Sequence, residues 1–339
     1  MVDSLRGLET TKGLSLFVTT IVFMLLCLVI GGLRVWAKMI AKQTWKTHDW
    51  LALGALACIT GYSVICILCV YPGTIGMHLA AAFALGPNVM RTTLKIFYAS
   101  GFLWISATTL LKMSLLHFYL GIFLNRNVST GRSMILRYAA FGVYSIVILY
   151  YIAHVSLLLA ICRPISLQWN PANPDGHCGD IKKQEISSCA VNIILDLAIV
   201  ILPMPALLKL QIPTSKKIGL AGLLSLGVTI CIINITRLGL IVTHDNSDFT
   251  YTSSDVGLLT GMEVWIGYIT ASLPTLGPLF MQGKMQTQAN VQKYYRSRST
   301  GQSSRPSKKS FGASVLETNA SFERLNEAEG IALESRDVK

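Results

Sequence analysis

The sequence predicts an all-α fold, a bundle of seven transmembrane helices, on three observations. Of 339 residues, 52% are hydrophobic and only 14% are charged, too little charge to cover a soluble domain of this size. Seven stretches stay apolar over the roughly 20 residues that a helix needs to cross a hydrocarbon core. The charged residues collect between those stretches, and their sign balance alternates from one connection to the next.

The stretches run from Leu14 to Trp36, Trp50 to Tyr71, Ile96 to Leu120, Ile135 to Ile161, Ser187 to Leu208, Ile218 to Val242 and Val256 to Phe280. No gap between them holds a soluble domain. The chain therefore divides into an extracytoplasmic segment 1–13, a seven-helix domain 14–282 and a tail 283–339. The first stretch is too long for a signal-peptide core and runs into Arg34, Trp36 and Lys38 without a small-residue cleavage site. It reads as a retained signal anchor.

Orientation follows from the connections. Those after helices one, three and five, with the adjoining helix ends, carry Arg34, Lys38, Lys42, Lys46, Arg126, Arg132, Arg137, Lys209, Lys216 and Lys217 against a single acid, Asp49. An excess of Lys and Arg marks the cytoplasmic side. The amino terminus and the other three connections hold seven cations against eight acids. The amino terminus is thus expected outside and the carboxyl tail in the cytosol. The net charge of +12 does not indicate nucleic acid, because no basic face is interleaved with aromatic side chains.

Five of the eight cysteines, Cys27, Cys58, Cys66, Cys69 and Cys231, fall in apolar helices, where a thiol packs as a small hydrophobe. Cys66 and Cys69 have CxxC spacing but no second pair, so no metal site is expected. Cys162 and Cys178 bracket the longest outer connection. Facing an oxidising compartment, they can form a disulfide whose loop of about 15 residues is worth roughly 3 kcal/mol. Cys189, just inside helix five, is the rival partner. From Lys284 to Lys309 the tail has seven cations, no acids and many serines, a composition expected to stay disordered. Such a segment attracts anionic inner-leaflet lipid, and phosphorylation of Ser297, Ser299 or Ser307 would weaken that attraction.

Four ionisable residues remain inside helices: Lys112, Asp196, Arg237 and Glu263. A charge in the bilayer is costly and should face protein or water. At 1.5 Å per residue, Asp196, Arg237 and Glu263 lie about 8 to 14 Å below the outer boundary, with His154 at a similar depth. Asn192 precedes Asp196 by one helical repeat, and Asn234 lies one turn before Arg237. The Arg237 fork can serve Asp196, Glu263 or both. Lys112 is expected nearer the cytoplasmic boundary, its stem alongside His117 and Tyr119, and pairs with Asp196 only if the helix ends lie elsewhere. Trp104 and Trp265 are further pocket candidates. Pro203 and Pro205 in helix five, and Pro274 and Pro278 in helix seven, can free carbonyls to line a cavity. The set reads either as an ion-pair network that fixes packing or as a water-lined pocket.

Read in order, the chain has His48-Asp49-Trp50, Gly73 and Gly76 before His78, Lys112-Met113-Ser114-Leu115, and Phe118-Tyr119. These are followed by Cys162-Arg163-Pro164 with Trp169, Asn192, Asp196, Leu202-Pro203-Met204-Pro205, Lys216-Lys217, Arg237, Glu263 and Ser272-Leu273-Pro274. From about Leu14 to Phe280 this succession resembles the fungal rhodopsin-like family of integral membrane proteins. One local departure is His48, where that family commonly carries an acid. The resemblance implies a receptor-like, surface-sensing protein or a member of a mycotoxin gene cluster. It does not imply retinal: Val256 to Phe280 contains no lysine for a Schiff base, and no cofactor is expected. Helix three lacks an Asp-Arg-Tyr motif and the link between helices five and six is short, so G-protein coupling stays open.

Three functions follow. The first is a receptor-like protein binding a small apolar molecule. The second is a membrane-embedded enzyme in which Asp196 or Glu263 serves as acid or base for cyclisation or isomerisation. The third is a transporter, for which no internal repeat is visible. No HExxH, GxSxG or Walker loop supports catalysis independently.

Overall fold

The computed structural model describes residues 8, 10–40, 44–124, 131–170, 176–204, 214–243 and 248–300, with side chains undescribed at 122–133, 214–221, 223, 274 and beyond 275. Its helices are α1 (Thr11–Ile40), α2 (Thr47–Val70), α3 (Leu79–Ala84), α4 (Pro87–Leu124), α5 (Gly131–Ala160), α6 (Ile181–Ile201), α7 (Thr214–Thr243) and α8 (Phe249–Thr300). All but α3 are long and apolar enough to cross a membrane, and the protein is a multi-pass membrane protein. Leu25, Val29, Tyr138, Leu149, Ile194 and Ile232 point outward and are exposed, as side chains solvated by lipid should be. Inside, α2 packs against α4, α4 against α5, and α6 against α7, around a core that includes Ile59, Ile105, Trp265 and Tyr268, none of them solvent-exposed.

The helices generally start earlier than the sequence suggests, and three of the boundary differences bear on the bundle interior. Helix α4 starts at Pro87, where proline's fixed φ suits the first helical position and its missing N–H costs nothing. Helix α6 starts at Ile181, capped by the Asp180 carboxylate, which accepts from the Lys183 N–H at 3.0 Å. Its polar first turn, Lys182 to Glu185, hid that start from a hydropathy reading. The same helix ends at Ile201, so Pro203 follows it instead of interrupting it, and Pro205 lies outside the described residues. Pro203 has no backbone N–H to donate to the carbonyl one turn back, which stops the hydrogen-bond ladder there.

The chain divides into two units, 1–281 and 282–339. The backbone of α8 is helical through Thr300, and the segment from Lys284 to Lys309 expected to be disordered runs on past it. Residues 284–300 contain no proline or glycine, and a helix already nucleated propagates easily through such sequence. The tail from 301 lies outside the described residues.

Between α5 and α6, Cys162–Arg163 pairs antiparallel with His177–Cys178, and a Cys162–Cys178 disulfide joins the two short strands. This pairing resolves the choice left open by the sequence. Cys189 is free and buried, its thiol donating to the Asn234 carbonyl at 3.6 Å.

The same face of the bundle is tied together by the connection after α2. Gly76 donates its N–H to Thr250 O at 3.0 Å and accepts from Thr10 Oγ1 at 2.7 Å. Asp248 accepts from the Leu79 N–H at 3.0 Å and meets His78 Nδ1 at 3.0 Å. The Leu79 N–H, then His78, hold its carboxyl below the usual carboxylate range. Lys12 pairs with Asp255 at 2.6 Å and lies 4.1 Å from the Tyr251 ring centre. Gly76 has φ +98°, and a Cβ there would stand 2.7 Å from Gly13 Cα, a backbone atom. Gly76→Ala is therefore expected to cost about 1 to 3 kcal/mol through strain alone, seen as a lower thermal midpoint. An unchanged midpoint would mean that this connection does not hold α1 to the start of α8.

Candidate functional site

Five helices contribute to a layer of polar side chains within the bundle. From α8, Glu263 (3% exposed) accepts from Arg237 Nη1 of α7 at 2.9 Å, Trp104 Nε1 of α4 at 3.2 Å and Asn192 Nδ2 of α6 at 2.7 Å. The Arg237 guanidinium also lies 4.5 Å from the Trp104 ring centre, a cation–π contact that strengthens away from water. Beside this group, Asp196 of α6 is ion-paired with Lys112 of α4 and accepts from Asn234 Nδ2 of α7 at 2.9 Å. His154 of α5 joins through Ser188, whose Oγ is 2.7 Å from His154 Nδ1 and 2.9 Å from the Tyr150 hydroxyl. The His154 ring stands edge-on to Trp104 at 5.5 Å.

The layer thus brings together Trp104, Lys112, His154, Asn192, Asp196, Asn234, Arg237 and Glu263. Two expectations change. Lys112 does not snorkel beside His117 and Tyr119; it pairs with Asp196. The cause is the earlier start of α6: counted from Ile181, Asp196 lies about 22 Å along its helix, not the 14 Å that the sequence boundary gave. Arg237 then serves Glu263, and the Asp196 carboxylate is taken by Lys112 and Asn234. Trp265 stays apart from these charges. It stacks on Phe23 of α1 with ring centres 5.4 Å apart and donates to Ser63 Oγ of α2 at 3.1 Å, a packing role on the other side of α8.

A second buried charge cluster escaped the sequence reading, which treated Arg34, Lys38 and Asp49 as connection charges. Asp49 (1% exposed) receives Arg34 Nη2 at 3.1 Å, Lys38 Nζ at 2.7 Å and its own helix's Lys46 N–H at 3.1 Å. Arg34 Nη1 also donates to the Ala271 carbonyl at 3.0 Å, so α1, α2 and α8 meet here. Ser114 Oγ of α4 donates to the His48 carbonyl at 2.8 Å. The available signal was the spacing: Arg34 and Lys38 are four residues apart and share one helix face.

A cavity of about 60 Å³ lies among α4, α6, α7 and α8. Lys112, Asp196 and Glu263 reach it, and its walls are mainly aliphatic, among them Leu111, Ile199 and Ile230. Among the described residues, no three His, Cys, Asp or Glu side chains converge to hold a metal.

Known proteins bear on this arrangement. A SAT4 family membrane protein of Emericella nidulans is 27% identical over 271 residues, 78% of this chain and 64% of that protein. The wortmanamides biosynthesis cluster protein C of Talaromyces wortmannii is 28% identical over 78% of this chain and 70% of its own length. Receptor GIN3 of Arthrobotrys oligospora is 23% identical over 76% of this chain and 60% of the receptor. The chain therefore spans less than two thirds of the first and third of these relatives. No solved structure matches it. The family model described as the fungal rhodopsin domain matches residues 33–282, which take in both buried charge clusters and all but the opening of the seven-helix bundle, and the chain belongs to that family.

Proposed function

We propose that the chain is a receptor-like protein that binds a small, largely apolar molecule between its membrane helices, in the setting of a fungal secondary-metabolite pathway. The observation that carries this reading is the cavity among α4, α6, α7 and α8, aliphatic in its walls and in contact with both ion pairs of the layer. Buried charges stay favourable only while each is paired. A molecule entering the cavity changes the surroundings of both pairs, and can favour one helix arrangement by its differential affinity for it. The names of two relatives support the two halves of the reading: one is a receptor, the other a biosynthesis-cluster protein. The charge balance of the connections supports an amino terminus outside the cytosol, with the polybasic tail facing anionic inner-leaflet lipid.

In the enzymatic alternative, Asp196 or Glu263 would transfer protons, and each would first have to leave its cation. The test is thermal unfolding of the purified protein in lipid nanodiscs against a panel of fungal secondary metabolites. A ligand at a hundred times its Kd is expected to add about 2.7 kcal/mol. A flat response across the panel would count against binding. Comparing metabolites of a deletion strain with its parent separates the enzyme, whose loss leaves a stalled intermediate, from the receptor, whose loss leaves none.

A further inference from the structure

Resting on the ligand-binding reading, we propose that the charged layer recognises an uncharged headgroup carrying both a hydrogen-bond donor and an acceptor, a hydroxyl or an amide, and rejects carboxylates and ammonium groups.

Charge comes first. The layer contains two cations, Lys112 and Arg237, and two carboxylates, Asp196 and Glu263, joined as two pairs. The side chains of the four are at most 12% exposed. A third cation or a third anion among them would stay unbalanced in a low-dielectric setting, where an unpaired charge costs several kcal/mol. A neutral group leaves the balance intact.

The hydrogen-bonding groups that line the cavity point the same way. Asn192 Oδ1, Asn234 Oδ1 and Arg237 Nε are buried and meet no partner among the described residues. The two amides cannot turn over to relieve this, because each Nδ2 is held by a carboxylate, at 2.7 Å on Glu263 and 2.9 Å on Asp196. These three residues stand behind the cavity lining, whose charged members are Lys112, which donates, and Asp196 and Glu263, which accept, so a headgroup there meets both a donor and acceptors. A carboxylate offers only acceptors and an ammonium only donors, whereas a hydroxyl or an amide offers both. Both Asn side chains are bonded to the carboxylates that reach the cavity.

Size sets the rest. At about 10 to 15 Å³ for each water-sized group in the same measure, the cavity of about 60 Å³ takes a headgroup and not a whole metabolite. Val200 of α6 and Leu224 and Ile230 of α7 line it and are half-buried. An apolar body can extend past them toward lipid, which gives the ligand a route from the bilayer.

The test uses four probes with one chain length: octan-1-ol, octanamide, octanoate and octylammonium. Thermal unfolding of the full chain in nanodiscs is followed for the natural sequence and for Ile230→Phe, which fills the cavity without touching a charge. The alcohol and the amide are expected to stabilise the protein at about ten-fold lower concentration than the charged probes, and Ile230→Phe to abolish the difference. If the charged probes act as well as the neutral ones, and Ile230→Phe blocks all four, the headgroup rule falls while ligand binding stands. If no probe acts through the cavity but the metabolite panel still stabilises the protein, the rule falls likewise. Silence from both probes and panel removes the ligand-binding reading itself.

Discussion

Asp49→Asn is expected to destabilise the protein by about 3 to 5 kcal/mol, the loss typical when one partner is removed from a buried ion cluster. The Asp49 side chain is 2% exposed and compensates two cations, Arg34 and Lys38, whose side chains are 3% and 5% exposed. An amide keeps the shape but offers one acceptor oxygen and no charge. Arg34 would retain the Ala271 carbonyl at 3.0 Å, which satisfies one hydrogen bond and neutralises nothing. Asp49 also accepts from the Lys46 N–H at 3.1 Å at the start of α2, so the substitution weakens the helix start as well, by roughly 1 kcal/mol. Equilibrium unfolding in mixed micelles measures the sum. Adding Lys38→Met to Asp49→Asn removes one of the two stranded cations and should recover part of the loss. A loss under about 1 kcal/mol, the range of an exposed pair, would mean that water reaches the cluster and that it does not hold α1, α2 and α8 together.

That cluster also shows where a sequence stops informing. The seven spans were legible because lipid demands long apolar runs. The Cys162–Cys178 pairing was a leading candidate because both cysteines bracket one connection. The membership of the charged layer was largely legible too: a charge in an apolar helix must face protein, whatever the exact boundaries. Its pairing was not. Choosing between Asp196 and Glu263 as the partner of Arg237 depends on depth, and six residues of error at the start of α6 shift Asp196 by about 9 Å. Asp49 failed for a different reason. Charges near helix ends were assigned to one side of the membrane as a group, and that assignment has the same form whether a side chain ends in water or folds inward against a neighbouring helix.

Lys112→Met and Asp196→Leu, made singly and together, distinguish the two roles that the layer can have. Each single change strands a nearly buried charge and is expected to cost about 3 to 5 kcal/mol, whereas replacing both members of such a pair with apolar residues is often close to neutral. Here the double variant should still lose about 1 to 3 kcal/mol, because Asn234 Nδ2 gives up its acceptor at Asp196 and is left buried. The two single losses should thus exceed the loss of the double variant by several kcal/mol. An additive result would mean that the pair is not energetically coupled. The double variant then becomes informative about function, since it folds without the pair while Arg237, Glu263 and Trp104 keep their contacts. If the layer only fixes helix packing, the variant should respond to stabilising metabolites as the natural sequence does. If the layer is the recognition site, the response should be lost although the bundle is intact, because the headgroup that fits two balanced ion pairs no longer meets the Lys112 and Asp196 side of the cavity.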